Sequence, residues 1–212
     1  MTATPKYLAI VAHYEKCLAQ YGDSHLGVDW PIQEHVDLRY QIMLEVIKKI
    51  RQSKVSLLDF GCGASHLYGY IRKHHLYYIE YSGLDISAKF IALCKQKYPS
   101  VQYYCMDILE DTDSLPAFDY VVLNGVFTEK CSLSYSDMLA YFFRLLTRLY
   151  AKTNVALAFN VMSSHVDWER DDLFHLPLDT LATFLTKELS RHFVVRNDYG
   201  LYEYTTYVYR RH

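Results

Sequence analysis

Residues 55–70 read VSLLDFGCGASHLYGY, an apolar run that ends in an acid, breaks into a Gly-x-Gly loop and resumes as a helix-like segment. A run of this kind without polar alternation is the pattern of a strand buried on both faces. Gly61 and Gly63 supply a tight turn whose backbone a ligand can approach closely. The start of the next helix adds unpaired N–H groups and a partial positive charge. Asp59 sets a carboxylate beside them. That carboxylate serves a bare phosphate poorly, whereas a ligand carrying an ammonium or sulfonium group and a ribose is well served by it.

Outward from this stretch, helix and strand patterns alternate. The periodicity predicts an amphipathic helix from about Pro5 to Tyr21, a loop HLGVDWP at 25–31, and a second helix from Ile32 to Arg51. Strands are expected over 55–60, 77–86, 101–106, 117–123 and 153–161, with helices over 65–74, 88–97, 136–150 and 178–189 between and after them. Two last strand-like runs, 192–198 and 203–210, flank a turn at Gly200 and read as a hairpin. Alternation implies an α/β fold of three layers, with a parallel sheet covered by helices on both faces. The hairpin inserts one antiparallel strand near its end.

Composition narrows the function. With 212 residues, 51% of them hydrophobic, the chain suits one domain with a substantial core. A formal charge of −2 and the lack of any run of five like charges disfavour bulk nucleic-acid binding. The five cysteines form no C-x-x-C pair and leave an odd count, which fits a reduced, cytoplasmic setting. The apolar patch at 7–12 is too short for a secretion signal, and no segment approaches a membrane span. No H-E-x-x-H or G-x-S-x-G occurs, so neither a metal nor a hydrolase site is expected. Many of the 21 tyrosines alternate in the strands, where packing explains them.

In an open α/β sheet, ligands bind beyond the carboxyl ends of the strands where strand order reverses. Those ends carry Asp59, Gly61, Cys62 and Gly63 on the first strand, then Asp85 and Ile86, Asp107 and Ile108, and Asn124 and Gly125 on the next three. On LLDFGCGASHLYGY, GLDIS, CMDIL and FDYVVLNGVF, the chain resembles the class I S-adenosylmethionine-dependent methyltransferases over about residues 36–210. HYEKCL, HLGVDW and LRYQIML near the start and LYEYTTYVYR at the end are similar to a group of small bacterial methyltransferases. The resemblance implies a Rossmann-like sheet, mostly parallel with an antiparallel C-terminal hairpin. It also implies a helical lid over residues 1–35 and an S-adenosylmethionine-binding domain over 36–212. By the same resemblance, Asp59 fixes the glycine loop and receives the ligand's amino group, and Asp85 accepts from both ribose hydroxyls. Asp107 accepts from the adenine amine beside Ile108, and Arg39 pairs with the ligand's carboxylate. Ser65 stands where the family has a third glycine and is expected to cap the next helix.

Methyl transfer from a sulfonium is an in-line displacement that alignment and exclusion of water promote. Tyr14 and Trp30 before the sheet, and Asn160 and His165 at and beyond the fifth strand, are the candidate acceptor contacts; His165 is also the candidate base. A lid this small favours a small-molecule acceptor, methylated at oxygen, nitrogen or carbon, over a folded macromolecule. Two alternatives stand beside this reading. One is a non-catalytic binding module on the same fold. The other is a nicotinamide-dependent oxidoreductase, although G-x-G-x-x-G would need glycine at His66.

Overall fold

In the computed structural model, which describes residues 4–48 and 53–210, five strands run parallel: β1 (Val55–Phe60), β2 (Ile79–Asp85), β3 (Gln102–Cys105), β4 (Phe118–Phe127) and β5 (Thr153–Ser163). A two-residue strand, β6 (His175–Leu176), pairs in parallel with the end of β5, and β7 (Phe193–Arg196) and β8 (Glu203–Tyr209) form the hairpin. The sheet order is β3-β2-β1-β4-β5-β8-β7, with β8 antiparallel to both neighbours. Strand order therefore reverses between β1 and β4, directly after the glycine loop.

Helices α1 (Leu8–Tyr21), α2 (Glu34–Leu44), α3 (His66–Lys73), α4 (Ala88–Lys97), α5 (Tyr135–Ala151) and α6 (Leu178–Phe184) complete the described residues, with a 3-10 turn at Leu26–Val28. The period of two along the strands sorts their side chains into two cores. Leu58, Val121, Leu157 and Phe159 pack with Phe142 and Leu146 of α5 and Phe184 of α6. Leu57, Val122, Ala156 and Ala158 face the other way, against Tyr40 and Met43 of α2 and Leu67 and Ile71 of α3. Each such leucine or phenylalanine, fully removed from water, contributes about 1.5–3 kcal/mol. Two serines fix helix starts: Ser134 Oγ accepts from Asp137 N at 3.1 Å, and Ser87 Oγ accepts from Phe90 N at 3.4 Å.

The elements differ from the sequence expectation in instructive places. The second helix, expected from Ile32 to Arg51, runs from Glu34 to Leu44, and the expected helical residues 49–51 lie outside the described residues. β4 continues past Leu123 through Asn124 and Gly125, with a register shift against β5 between Leu123 and Phe127. Gly125 accommodates this bulge at φ +84° while Asn160 Oδ1 accepts its N–H at 2.7 Å. The last long helix is α-helical only to Phe184 and then widens into a π turn, Leu185–Leu189. No helix among the described residues is long and apolar enough to cross a membrane.

Candidate active site

A cleft enclosing about 1100 Å³, open mouth included, lies over the carboxyl ends of β1 to β4. Its floor is the glycine loop. Gly61, at φ +68°, and Gly63, at φ +49°, take a backbone conformation that side chains disfavour, and Gly61 N donates to Leu84 O at 2.8 Å. A Cβ on Gly61 would lie 2.6 Å from Val126 Cγ2. Cys62 also lines the cleft, with its N–H on Leu84 O at 3.0 Å. Ser65, fully buried, holds φ +56° where the family pattern has glycine. It does not cap α3 through its side chain as expected; its hydroxyl donates instead to Cys94 Sγ at 3.2 Å. The serine thus keeps a glycine-like backbone and spends its hydroxyl on packing the loop.

The three strand-end acids meet on this cleft. Asp59 accepts from Tyr81 Oη at 2.7 Å. Asp85 accepts from Gly63 N at 3.0 Å through one oxygen and from Ser87 N at 2.9 Å through the other, so it ties the glycine loop to the start of α4. Asp107 accepts from Leu109 N at 2.9 Å and from the hydroxyl of Tyr7, whose ring stacks on Tyr141 at 4.9 Å. Ile86 and Ile108 form apolar walls beside the second and third acids. Asn124 lines the cleft with both atoms of its amide buried and without a hydrogen-bond partner among the described residues.

The roof comes from the N-terminal segment. Tyr14 of α1 donates to Gly125 O at 3.2 Å, and Trp30 covers Gly125 so closely that a Cβ there would lie 3.2 Å from Trp30 Nε1. Both line the cleft. Glu15 reaches Ser87 Oγ and Lys89 Nζ, each at 2.7 Å, and Asp23 reaches His66 at 2.7 Å and Lys97 at 2.8 Å.

Three expected contacts fall elsewhere. Arg39 Nε donates to both oxygens of Glu203, at 3.1 and 3.0 Å, and its guanidinium sits over Trp30; it does not line the cleft. The reason is electrostatic: Glu203 is 2% exposed, and a carboxylate so enclosed needs a cation. Asn160 is buried behind the cleft wall between Gly125 N and Glu203 Oε1. Its amide shapes the β4 bulge and does not face a ligand. His165 is exposed outside the cleft, because β5 runs on to Ser163, whose hydroxyl then accepts the His165 backbone N–H at 3.0 Å.

Comparison with known proteins bears on this geometry. Residues 58–150 match the family described as "Methyltransferase domain", and the Mycobacterium tuberculosis protein named "Putative methyltransferase Rv1506c" is 25% identical over 158 residues, spanning 72% of this chain and 92% of that protein. These matches support reading the chain as a class I S-adenosylmethionine-dependent methyltransferase. The fold of this chain is shared with magnesium protoporphyrin IX methyltransferase (ChlM) from Synechocystis PCC 6803 with bound SAM, at TM-score 0.63 and 13% identity over 99% of both chains. It is shared equally with the plantazolicin methyltransferase BpumL in complex with a pentazolic desmethylPZN analog and SAH, at TM-score 0.62 and 14% identity over 98% and 99% of the two chains.

The residues of the methyltransferase fit an adenosyl ligand by their own chemistry. Burial pushes the Asp59 carboxyl up to about 7, against the opposing pull of the Tyr81 hydroxyl, and burial pushes Asp85 up to about 6 despite the amides of Ser87 and Gly63. Hydroxyls and a cationic group arriving in the cleft would favour both carboxylates in their charged form. The unpaired Asn124 amide adds a donor and an acceptor beside them. Sequence reading missed Tyr7, Tyr141 and Leu145 as cleft residues, because only the docking of α1 and α5 brings them there. It also missed a signal it could have used: His13 and Cys17 stand at i and i+4 on α1, a spacing that puts both on one face.

Proposed function

We propose that this methyltransferase methylates an oxygen, nitrogen or carbon of a small molecule held between the glycine loop and the N-terminal helix. The observation that carries the reading is the convergence of Asp59, Asp85 and Asp107, from three different strands, on one cleft beside the glycine loop. In this reading Asp85 takes the ribose hydroxyls, Asp107 and Ile108 take the adenine, and Asp59 with Gly61, Cys62 and Gly63 receives the amino-acid end. Asn124 and Gly125 bound the end from which the methyl group leaves. S-adenosylmethionine, when bound, supplies an electrophilic methyl group on sulfonium.

The chain's own residues then align and enclose. The N-terminal segment, described from residue 4 to 35, acts as a lid: Tyr14 and Trp30 sit over Gly125 and present aromatic surface to an acceptor, and their cover keeps water from the reacting atoms. An aromatic, mostly apolar roof suits an acceptor with a flat or apolar body. The porphyrin and the azole compound named for two proteins of the same fold are of that kind. A cytoplasmic enzyme with free thiols fits the five unpaired cysteines.

A thermal-shift panel tests the assignment. S-adenosylhomocysteine and S-adenosylmethionine should raise the melting temperature, and NAD and NADP should not. Small-molecule fractions incubated with a labelled methyl donor should then acquire label. Stabilisation by the nicotinamide ligands alone would remove the reading.

A further inference from the structure

Beside the lid lies a group of side chains that methyl transfer does not use. His13 and Cys17 lie one turn apart on α1, Asp29 follows the 3-10 turn, and Glu129 and Cys131 leave the end of β4. The donor atoms of His13, Cys17 and Asp29 lie within 4.8 Å of one another, and so do those of His13, Glu129 and Cys131. His13 Nε2 is 2.7 Å from Asp29 Oδ2 and 3.8 Å from Cys17 Sγ. A tetrahedral zinc with bonds of roughly 2.0–2.1 Å to nitrogen and 2.3 Å to sulfur spaces such a nitrogen and sulfur by about 3.6 Å. The helix therefore already presents its two donors at close to the spacing a metal needs.

Charge points the same way. Glu129 accepts no hydrogen bond among the described residues, and Asp29 and Asp172 stand near it, opposed by Arg170 and His13. Burial beside these acids pushes the Glu129 carboxyl up to about 7 and the Cys131 thiol up to about 11. The two groups share His13, so a divalent cation held there could draw the thiols and one of the carboxylates onto one centre. The mixture of sulfur and nitrogen selects a zinc-class ion over magnesium or calcium, which prefer oxygen alone.

We propose that His13, Cys17 and Cys131, with Asp29 or Glu129 as the carboxylate, bind one zinc-class divalent cation that clasps helix α1 to the end of β4. His13, common to both groups, is the central ligand. Binding draws donors from the roof and from the sheet, so the ion fixes the roof at its acceptor end. It also releases protons from the thiols, and its affinity therefore rises with pH.

The test uses the full chain, stripped with a chelator and titrated with Zn²⁺ against a chromophoric competitor, with Co²⁺ as the spectroscopic probe. One ion per chain is expected, and the Co²⁺ form should show tetrahedral ligand-field bands and thiolate charge-transfer absorption. Cys17→Ser and Cys131→Ser should each weaken Zn²⁺ binding by roughly tenfold or more and diminish the charge-transfer band, and His13→Ala should weaken it further. Stabilisation of each variant by S-adenosylhomocysteine reports that it has folded. No ion taken up by the parent chain, uptake unchanged in the three folded variants, or loss confined to one of the two cysteines would overturn the proposal. Should His13→Ala fail to fold, the two serine variants decide alone.

Discussion

The floor and the roof of the cleft are built by different physics. The floor is backbone: a buried strand, a loop that needs positive φ at Gly61, Gly63 and Ser65, and carboxylates tied to amides one or two residues away or on the adjacent strand. The roof is helix α1 and the residues flanking it, with only Ile10 and Cys17 buried along the helix, fastened by side-chain contacts at Asp107, Ser87, Lys89, His66 and Lys97. A floor of this kind is rigid because moving it breaks the sheet. Without a bound cation, a roof tied by partly exposed polar contacts opens at small cost, since such pairs contribute roughly 0–1 kcal/mol each. A ligand entering the cleft would then displace the roof, and the floor would set most of its affinity.

Changes to the floor should do the most harm. Gly61→Ala forces a side chain into φ +68° and against Val126, a cleft residue, and should raise the dissociation constant for S-adenosylhomocysteine on the order of a hundredfold, about 2.7 kcal/mol. Titration calorimetry reads this directly. Asp85→Ala removes both ribose acceptors and the tie between Gly63 and Ser87, and should weaken binding by about 1.5–3 kcal/mol in the same assay. An unchanged constant would take Asp85 out of the site.

The pH response sharpens the contrast, because the floor's acids are enclosed and the roof's ties are not. Asp59 near 7 and Asp85 near 6 hold protons in the free fold that an unfolded chain would release near the ordinary carboxyl value of 3.8. Their contribution to the stability of the ligand-free protein is thus fully present below about pH 4 and lost as pH rises through 6 and 7. A ligand that engages the carboxylates must first expel those protons, so its affinity runs the other way. Calorimetry between pH 5 and 8 should find S-adenosylhomocysteine binding more tightly as pH rises, then levelling above about pH 8. Asp85→Asn should flatten the lower part of that curve.

Roof variants should do least. Glu15→Ala removes the contacts to Ser87 and Lys89 and should change equilibrium affinity by no more than about 1 kcal/mol while speeding ligand dissociation in stopped-flow measurements. A loss as large as that of Asp85→Ala would mean that the roof, too, determines affinity.

The same division explains what could be read from the sequence. The parallel sheet, the hairpin and the strand-end acids follow from local rules: period two, turn residues, and an acid where each strand stops. The roof depends on docking between distant segments. The Tyr7–Asp107 contact spans 100 residues and the Arg39–Glu203 pair 164, and no local pattern announces either. His165 lies outside the cleft because β5 runs to Ser163, two residues past its expected end at 161. For Asn160 the limit is different: a polar residue on a central strand suggests a ligand contact, but here the β4 bulge takes up its amide oxygen. β6, at two residues, is too short to carry any periodicity.

The central claim is that Asp59, Asp85 and Asp107 form one adenosyl site, and a crystal structure of the chain with S-adenosylhomocysteine tests it most directly. The ribose hydroxyls should lie on the Asp85 carboxylate, the adenine amine at Asp107 beside Ile108, and the amino-acid end over Gly61 to Gly63 near Asp59. Ligand density away from these three carboxylates would contradict it.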